Sequence, residues 1–562
     1  PPIAVSSAYL GAATLWDDSA STPGTLATKG EGMLVGILDT GINMDHPSFA
    51  DIGGDGYDHD NPFGAGVYKG LCATDPNFVC NDKLVGVYAY TQGDEALYGE
   101  DAHAHGSHTA STAAGNYLDT VYDGISVTIS GMAPHANIIA YDVCHSTGCP
   151  NSYSVAAVEQ AVIDGVDVIN YSIGPNSAVN PYENAVELAM LEAVEAGVLT
   201  STSAGNDGPD PSTVYKAPAW SMNVANITHG RIFGFPVDVH DVSGPTTLHE
   251  GVALPGTGPV FTSDLENVSI RWAGDDNIDN FDGCDPFSVD FFDGAVALIS
   301  RGTCGFADKV DNAAAAGAVG VLVYNNLAGP PIIMGGCELT TIPSAMLDKE
   351  DGETIVGLMT SSLLTTILSD KVAETKAIWA DIVAEGSSRG PYELLEILTP
   401  DVGAPGTNVL AAYNTLGATA PFGGSGGAAE IDLMSGTSMA SPHAAGSALL
   451  LMDLFPGWTP MEIKSAIMMS AYNEVMVKED GVTPADPFDV GNGRIDLTKA
   501  ALIGLVMDET VANFQAADPA LGGDVKDLNI PSYQNNQCVG SCSFSRTVRN
   551  VADVDTDYTI II

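Results

Sequence analysis

The sequence predicts an α/β protein whose core is a doubly wound parallel sheet. Short continuous apolar runs, beginning with MLVGIL at residues 33–38, alternate with helical stretches such as 154–164, and such runs are typical of strands buried on both faces. Polar, glycine-bearing segments end two later runs, at 172–174 and 204–206. Because the carboxyl ends of parallel strands form a ligand-binding edge, we expect a groove there with backbone for its walls.

The other elements of the sheet follow in alternation along the chain. After the first run, the predicted elements are a strand at 137–143, a helix at 154–164, a strand at 166–174, a helix at 184–196 and a strand at 198–206. The sheet pattern returns after residue 385 with a helix at 440–455, which Pro456 ends, and a further helix at 460–471.

Two stretches differ from this pattern and predict further domains. Glycine, proline and β-forming residues dominate 236–376, and within it 294–326 predicts strand, helix, strand without a nucleophile or metal ligands. We interpret it as an inserted mixed α/β domain. From residue 506 short antiparallel strands are predicted, including LNIPSY and FSRTVRN, and the final YTIII predicts part of a strand. We therefore expect a small, incomplete all-β domain at 506–562.

Composition excludes several classes of function. A chain of 562 residues is too long for one core, so about two to four domains are expected. The net charge is −52, with 19 Lys plus Arg against 71 Asp plus Glu, and this excludes nucleic acid as a partner because phosphate binding needs basic side chains. The acidity suits either a salty external medium or simple solubility. No apolar run reaches the about eighteen residues of a membrane span.

The cysteines and the chain start point outside the cytosol. Three close pairs predict small disulfide loops, namely Cys72 with Cys80, Cys144 with Cys149, and Cys538 with Cys542. Of Cys284, Cys304 and Cys337, one is expected to stay unpaired. The chain starts at Pro1 without an export signal, which indicates a processed mature form or a trimmed one.

Three segments carry candidate chemistry, each with a plainer alternative. Asp39 in DTG ends the first predicted strand, although an aspartate there could simply form a turn. Histidines 103, 105 and 108 compete within 101–116; a metal site is conceivable, but no HExxH pattern is present. Ser438 in GTSMASPH begins a helix, where the amides favour an oxyanion, although an N-capping cluster would look the same. The acidic loop 51–61 could hold calcium but misses the EF-hand spacing.

Asp39, His105 and Ser438 occur in the chain order of the subtilisin triad. With these motifs, and with GMAPHANIIAYDV, NYSIG, SAGNDGP and WTPMEIKSAIMMSA, the chain resembles the subtilisin-like serine proteases over residues 5–235 and 385–505. The insert resembles a protease-associated domain and the tail resembles the fibronectin type III-like domain of plant-type subtilases. The resemblance implies catalytic segments at 1–235 and 377–505, interrupted by the insert at 236–376 and followed by the tail at 506–562.

The resemblance also assigns roles to residues. Ser438 would attack the peptide carbonyl, His105 would move the proton, and Asp39 would orient the imidazole. Asn206 and the backbone NH of Ser438 would form the oxyanion hole. His108 would be a structural neighbour. No cofactor is required for the chemistry, and structural calcium stays open, although Ser48 replaces the calcium-binding aspartate of many bacterial subtilisins.

By the same resemblance, the substrate groove is predicted in detail. The primary pocket would lie between the backbones of Ser172, Ile173 and Gly174 and those of Ala204 and Gly205. Its floor is predicted near 212–215, where Tyr215 could shorten it, and Tyr153 would line a subsite beyond the scissile residue. Because that floor offers no carboxylate, we expect cleavage after uncharged, apolar or aromatic residues.

The sequence therefore predicts a secreted, extracellular serine endopeptidase that works through an acyl-enzyme intermediate. Its expected partners are protein or peptide substrates and a removed propeptide that would act as inhibitor, and we expect a monomer. Two alternatives remain open: an exopeptidase of the tripeptidyl type, and a catalytically silent binding or adhesion protein that keeps the scaffold.

Overall fold

The structure is a computed structural model that describes residues 5–17, 19, 27–91, 98–242, 247–359, 362–413, 430–552 and 555–558. Its strands, in chain order, are β1 (Leu34–Asp39), β2 (Lys69–Gly70), β3 (Leu84–Ala89), β4 (Leu118–Tyr122), β5 (Ile125–Ile129), β6 (Asn137–Asp142), β7 (Val168–Tyr171), β8 (Leu199–Ser203), β9 (Met222–Ile227), β10 (Arg231–Asp241), β11 (Thr247–Pro255), β12 (Leu265–Trp272), β13 (Val296–Ser300), β14 (Gly320–Tyr324), β15 (Ser344–Leu347), β16 (Leu363–Ile367), β17 (Val372–Thr375), β18 (Val402–Pro405), β19 (Val409–Ala412), β20 (Ile431–Met434), β21 (Leu505–Val506) and β22 (Arg549–Asn550).

The described residues also form α-helices. In chain order they are α1 (Val5–Tyr9), α2 (Ala12–Trp16), α3 (Leu71–Thr74), α4 (His105–Ala114), α5 (Asn151–Asp164), α6 (Ala185–Glu195), α7 (Phe306–Ala315), α8 (Lys349–Leu358), α9 (Thr437–Leu454), α10 (Pro460–Met469), α11 (Pro487–Val490), α12 (Leu497–Ala500) and α13 (Val511–Ala516).

The first sheet is a parallel sheet of eight strands in the order β18-β9-β8-β7-β1-β6-β3-β2. The chain builds one half through β3 and β6 and then crosses to build the other half through β7, β8 and β9. The strand order therefore reverses at β1, and ligands bind at such switch points, outside the carboxyl ends of the strands. Asp39 ends β1 at that point. The predicted doubly wound parallel sheet is confirmed.

Helix α9 is the central helix of this domain. Fourteen of its eighteen residues are buried, as expected for a helix enclosed by other elements. It packs against α4 and against strands β7, β8, β9 and β18. A glycine at position 446 lets α4 approach, because a Cβ there would lie 2.5 Å from the carbonyl oxygen of Ala113. The helix thus fixes its first residues against the strand ends.

The second sheet is a ring rather than an open layer. Its strands run β11-β15-β14-β13-β12-β16-β10-β17, and β10 also pairs with β11, so seven of them close on one another. The interior holds its own apolar cluster, which includes Phe235, Leu298 and Leu322. The predicted strand, helix, strand of 294–326 corresponds to β13, α7 and β14. The ring begins with β10 at Arg231 and so includes a few residues before the predicted boundary at 236.

Four disulfides are present. They include the three predicted pairs, Cys72–Cys80, Cys144–Cys149 and Cys538–Cys542, and a fourth joins Cys284 to Cys304 across 20 residues of the ring domain. Cys337 is the free thiol among the described residues and is buried.

The tail differs from its prediction. After Val506 the described residues form α13, single turns of 3-10 helix and the two-residue strand β22, which pairs with β21. Phe514 of α13 is fully buried and its ring meets that of Trp220 edge-on at 5.7 Å. The expected strand over LNIPSY is not formed; Pro531 in its middle lacks a backbone donor. Apolar residues of this tail belong to the main core, and residues 559–562 of the final YTIII lie outside the described residues.

A buried ammonium ties α10 to the sheet. Nζ of Lys464 donates to the carbonyl oxygens of Ala219 (3.0 Å) and Ser221 (2.6 Å) and lies 3.0 Å from Oδ2 of Asp401. The side chains of Lys464 and Asp401 are 3% and 9% exposed. The carboxylate is therefore buried with one cation as its charge partner, and burial by itself raises the pKa of Asp401.

We expect Lys464→Met to lower the free energy of unfolding by about 3 to 5 kcal/mol, because it leaves the Asp401 charge buried without its partner. Urea unfolding followed by tryptophan fluorescence measures this change. Lys499→Met is the matched control: Lys499 is 55% exposed and pairs with Asp496 at 3.5 Å, so its loss should cost less than about 1 kcal/mol. Equal stability of the two variants would contradict the assignment.

Candidate active site

Asp39 and His105 form the centre of the site. Asp39 is 1% exposed at the end of β1, and His105 is the first residue of α4. Nδ1 of His105 lies 2.6 Å from Oδ1 of Asp39. The carboxylate also accepts the backbone NH of Thr40 (2.9 Å) and the hydroxyl of Thr109 (3.2 Å), so its orientation is fixed by three donors.

This pairing changes the protonation of the imidazole. Burial alone would lower the pKa of His105, but the charge and the hydrogen bond of Asp39 outweigh it, and the pKa of His105 is raised above its ordinary value. With Nδ1 directed to the carboxylate, Nε2 is the nitrogen that can exchange a proton with another group.

A second carboxylate holds the turn that carries His105. Asp101 is fully buried, and its Oδ2 accepts both the backbone NH and the hydroxyl of Ser107 at 2.7 Å. Its Oδ1 accepts the hydroxyl of Thr40 at 2.9 Å and the backbone NH of His103 at 3.0 Å. Asp101 thus connects the two segments that meet at the Asp39–His105 pair.

The other histidines of this segment have structural positions. His108 is fully buried, its Nε2 lies 2.9 Å from the carbonyl oxygen of Val409, and burial lowers its pKa to about 3. His103 contributes its backbone NH to Asp101. The structure thus places His105, of the three competing histidines, on Asp39.

Ser438 is the second residue of α9, after Gly436 and Thr437. Its hydroxyl donates to the carbonyl oxygen of Ser172 at 3.3 Å, and the hydroxyl of Ser172 donates back to the Ser438 carbonyl at 2.9 Å. In the described part of the chain no hydrogen bond joins Ser438 to His105. Contacts of this kind often form only when substrate is bound.

Asn206 faces the same helix start with a defined orientation. Its Oδ1 accepts the backbone NH of Thr437 at 2.9 Å and the Thr437 hydroxyl at 3.0 Å. The hydroxyl is the donor to this amide oxygen, which can only accept, and it accepts the backbone NH of Gly205 at 3.2 Å in turn. A backbone NH can only donate, so the amide oxygen is the atom facing Thr437. The Nδ2 group therefore points away from Thr437 and can donate to an anion bound at the start of α9.

The predicted groove walls meet these residues. Ser172 follows β7 and contacts Ser438, while Ala204 and Gly205 follow β8 beside Thr437. Tyr215 is half-buried and its carbonyl accepts the backbone NH of Val179. Tyr153 lies in the first turns of α5, just after the Cys144–Cys149 loop, where its ring meets that of His145 edge-on; its subsite role stays a prediction.

Sequence reasoning missed one charged residue at this wall. Lys216 is buried, and its Nζ donates to the carbonyl oxygen of Ile173, between the two predicted wall residues Ser172 and Gly174. The predicted floor at 212–215 stopped one residue short of it. The supporting roles of Asp101, Thr109 and Thr437 were missed as well. Thr109 lies four residues after His105, on the same helix face, and this spacing was the available signal for Thr109.

Among the residues that the structure describes, no group of three or more His, Cys, Asp or Glu side chains could hold a metal ion. No helix within the described ranges is long and apolar enough to cross a membrane.

Comparison with known proteins decides the family. The family model described as the subtilase family matches residues 30–493. The chain belongs to the subtilase family. It is 31% identical to the subtilisin-like protease SBT1.7 of Arabidopsis thaliana over 93% of this chain and 73% of that protein, and 32% identical to SBT1.4 of the same plant over 94% and 69%.

A solved structure is also similar. The psychrophilic subtilisin-like protease Apa1 from the Antarctic Pseudoalteromonas sp. AS-11 matches with a TM-score of 0.48 and 17% identity, over 89% of this chain and 97% of that one. On the family match and the plant relatives, this subtilase is a subtilisin-like serine peptidase that acts on protein substrates, and such peptidases need no cofactor for catalysis.

Proposed function

We propose that this subtilase is an endopeptidase that cleaves through an acyl-enzyme intermediate. His105 takes the proton of the Ser438 hydroxyl as Oγ attacks the peptide carbonyl, and the carbonyl electron pair moves onto oxygen. Nδ2 of Asn206 and the backbone NH of Ser438 stabilise that oxyanion. His105 then gives its proton to the leaving amine, the C–N bond breaks, and water releases the acyl group by the same steps.

The observation that carries this proposal is the 2.6 Å contact of His105 with buried Asp39 at the edge where α9 presents Ser438. Its geometry suits an imidazole that becomes cationic during the reaction, since the carboxylate stabilises the charge. A catalytically silent scaffold protein would have no need for Asp39, His105, Ser438 and Asn206 together.

The surroundings of Ser438 favour endopeptidase over exopeptidase activity. A cavity of about 460 Å³ borders Asn206 and Gly436 and is lined on its far side by ring-domain residues such as Arg301 and Ile333. The wall at 172–174 approaches Ser438 separately. The cavity beside Asn206 gives a substrate chain room to continue past the scissile bond on that side.

The test is incubation with unfolded casein and sizing of the fragments by mass spectrometry. We expect internal fragments, their loss in Ser438→Ala, and stoichiometric labelling of Ser438 by a fluorophosphonate. Tripeptides alone would identify an exopeptidase. If a folded preparation showed neither cleavage nor labelling, the result would favour the catalytically silent binding protein.

The orientation of Asn206 gives a graded prediction. Asn206→Ala removes one oxyanion donor and should lower kcat by about 10² to 10³-fold. Thr437→Val keeps the amide but removes the hydroxyl that fixes it, so kcat should fall by a smaller factor while KM stays close to that of the wild type.

Thr437→Ser is the matched control, because it keeps the hydroxyl and should restore most of the kcat. Steady-state kinetics on one peptide substrate measures all three variants. If Thr437→Ser were as impaired as Thr437→Val, the methyl group rather than the hydroxyl would matter, and the positioning role would be wrong.

The protonation of His105 gives a prediction for pH dependence. The general base must be neutral, and the pKa of His105 is raised, so kcat/KM should fall as the pH drops through a value above about 6.5, the ordinary histidine pKa. Asp39→Asn removes the charge that raises this pKa and should move the acid limb to lower pH as well as lowering kcat. If the acid limb of the pH profile did not move in this variant, with the fold intact by circular dichroism, His105 would not be the group that titrates.

We further propose that the ring domain is a protease-associated insert and that the protein acts outside the cytosol. The four disulfides support an oxidising compartment. The removed propeptide as inhibitor, the monomeric state, structural calcium and the fibronectin type III-like nature of the tail stay predictions. The preference for apolar or aromatic residues before the cut also stays a prediction, and it was made without Lys216, which lies against the predicted pocket wall.

A further inference from the structure

Lys216 lies against the wall of the primary pocket. It is 2% exposed, its Nζ donates to the carbonyl oxygen of Ile173, and Nζ lies 4.9 Å from the centroid of the Tyr171 ring. Ile173 and Tyr171 flank Ser172, which contacts Ser438. The ammonium is therefore tied to the same three-residue wall that approaches the candidate nucleophile.

The space beside Gly174 is open, and the Lys216 side chain borders it. A Cβ built on Gly174 would meet a single atom within 4 Å, the Cε of Lys216 at 4.0 Å. The side of Gly174 that lacks a side chain thus faces the end of the Lys216 side chain. A substrate side chain that enters beside Gly174 would therefore approach Cε of Lys216, the carbon that carries the ammonium.

The ammonium is incompletely partnered by the protein. An ammonium has three donors, and the carbonyl oxygen of Ile173 takes one. The carboxylate that acts electrostatically on Lys216 is Glu187 of α6, also 2% exposed, but among the ion pairs of the described residues none joins the two. Oε2 of Glu187 is itself buried without a hydrogen-bond partner.

Burial and the Glu187 carboxylate act on this lysine in opposite directions. Burial lowers the pKa of Lys216 and the carboxylate of Glu187 raises it, and the reverse holds for Glu187. The carboxylate thus supports the charge on Lys216 from a distance without occupying its hydrogen bonds. A buried cation in this state gains most from an anion that can reach it directly.

We propose that Lys216 is a specificity-determining residue, and that this subtilase cleaves after acidic residues, aspartate or glutamate. The proposal rests on the endopeptidase function proposed above. The substrate carboxylate accepts the free donors of the Lys216 ammonium at the end of the pocket, as a charge-assisted hydrogen bond in a site shielded from water. An apolar side chain would bury the ammonium without that partner, and a basic one would face a like charge.

The experiment measures kcat/KM for a set of peptides that differ only in the residue before the scissile bond. The set contains Asp and Glu, their neutral isosteres Asn and Gln, and Leu, Phe and Lys. We expect the acidic peptides to exceed their isosteres by at least about tenfold, with Lys the poorest. This ratio is measured on the unmodified protein, so it needs no variant to fold.

Lys216→Met keeps the length of the side chain and removes its charge. It should lower kcat/KM for the acidic peptides by at least about 30-fold and leave those for Leu and Phe equal or higher. Glu187→Gln removes the carboxylate that supports the charge on Lys216, so it should reduce the acidic preference, and more strongly at higher pH. Lys83→Met is the matched control, since Lys83 is equally buried but its ammonium binds the carbonyl oxygens of Pro134 and Ala136; its preference should equal that of the wild type.

The outcomes separate this inference from the proposed function. Cleavage mainly after Leu or Phe, unchanged in Lys216→Met, would overturn the inference and leave the endopeptidase in place. Cleavage of no peptide, together with no labelling of Ser438, would overturn the proposed function itself.

Discussion

The contact between Asp39 and His105 is the constraint on which the site depends. Their side chains are 66 positions apart in sequence and are brought together because β1 ends where the strand order of the parallel sheet reverses. The carboxylate is almost fully buried, so its charge must be met by fixed donors, and Thr40, Thr109 and His105 supply them. Buried Asp101 then joins the two supporting turns. The reactive imidazole is therefore held by a network in which every carboxylate has its partners, as low dielectric surroundings demand.

Helix α9 carries the other half of the site, and core packing holds it in place. The first turn of α9 contacts the predicted groove wall and the segment that carries Asn206. Ser438 is hydrogen-bonded to Ser172, and Thr437 to Asn206. The rest of the helix is buried among the strands. Tight packing of small residues such as Gly446 fixes the axis of the helix, and the amides at its start then stand at one position relative to β1. Precise placement of the proposed oxyanion site thus follows from core packing rather than from the loops.

Sequence patterns predicted the parts of this molecule that depend on local chemistry. The apolar run of 33–38, the polar strand ends and the serine helix at 440–455 each carry their signal within a few residues, and β1, β7, β8 and α9 follow them closely. The tail could not be predicted in this way. Phe514 and Val511 are buried in the main core, and this burial depends on contacts distant in sequence, which local β propensity does not report. Asp101 and Lys216 were missed because their roles arise from residues that only folding brings near.

The buried lysines differ in a way that bears on Lys216. The chain has 19 basic residues against 71 acidic ones. A lysine in the interior is therefore one that does not offset the acidic charge of the surface. Lys83 binds two carbonyl oxygens, and Lys464 binds two and an aspartate, so each ammonium has more direct partners within the protein than Lys216. Lys216 has one carbonyl oxygen and a carboxylate beyond contact distance. Desolvation of an ammonium is unfavourable unless partners compensate for it, and in the proposed complex the substrate carboxylate supplies the partner that Lys216 lacks.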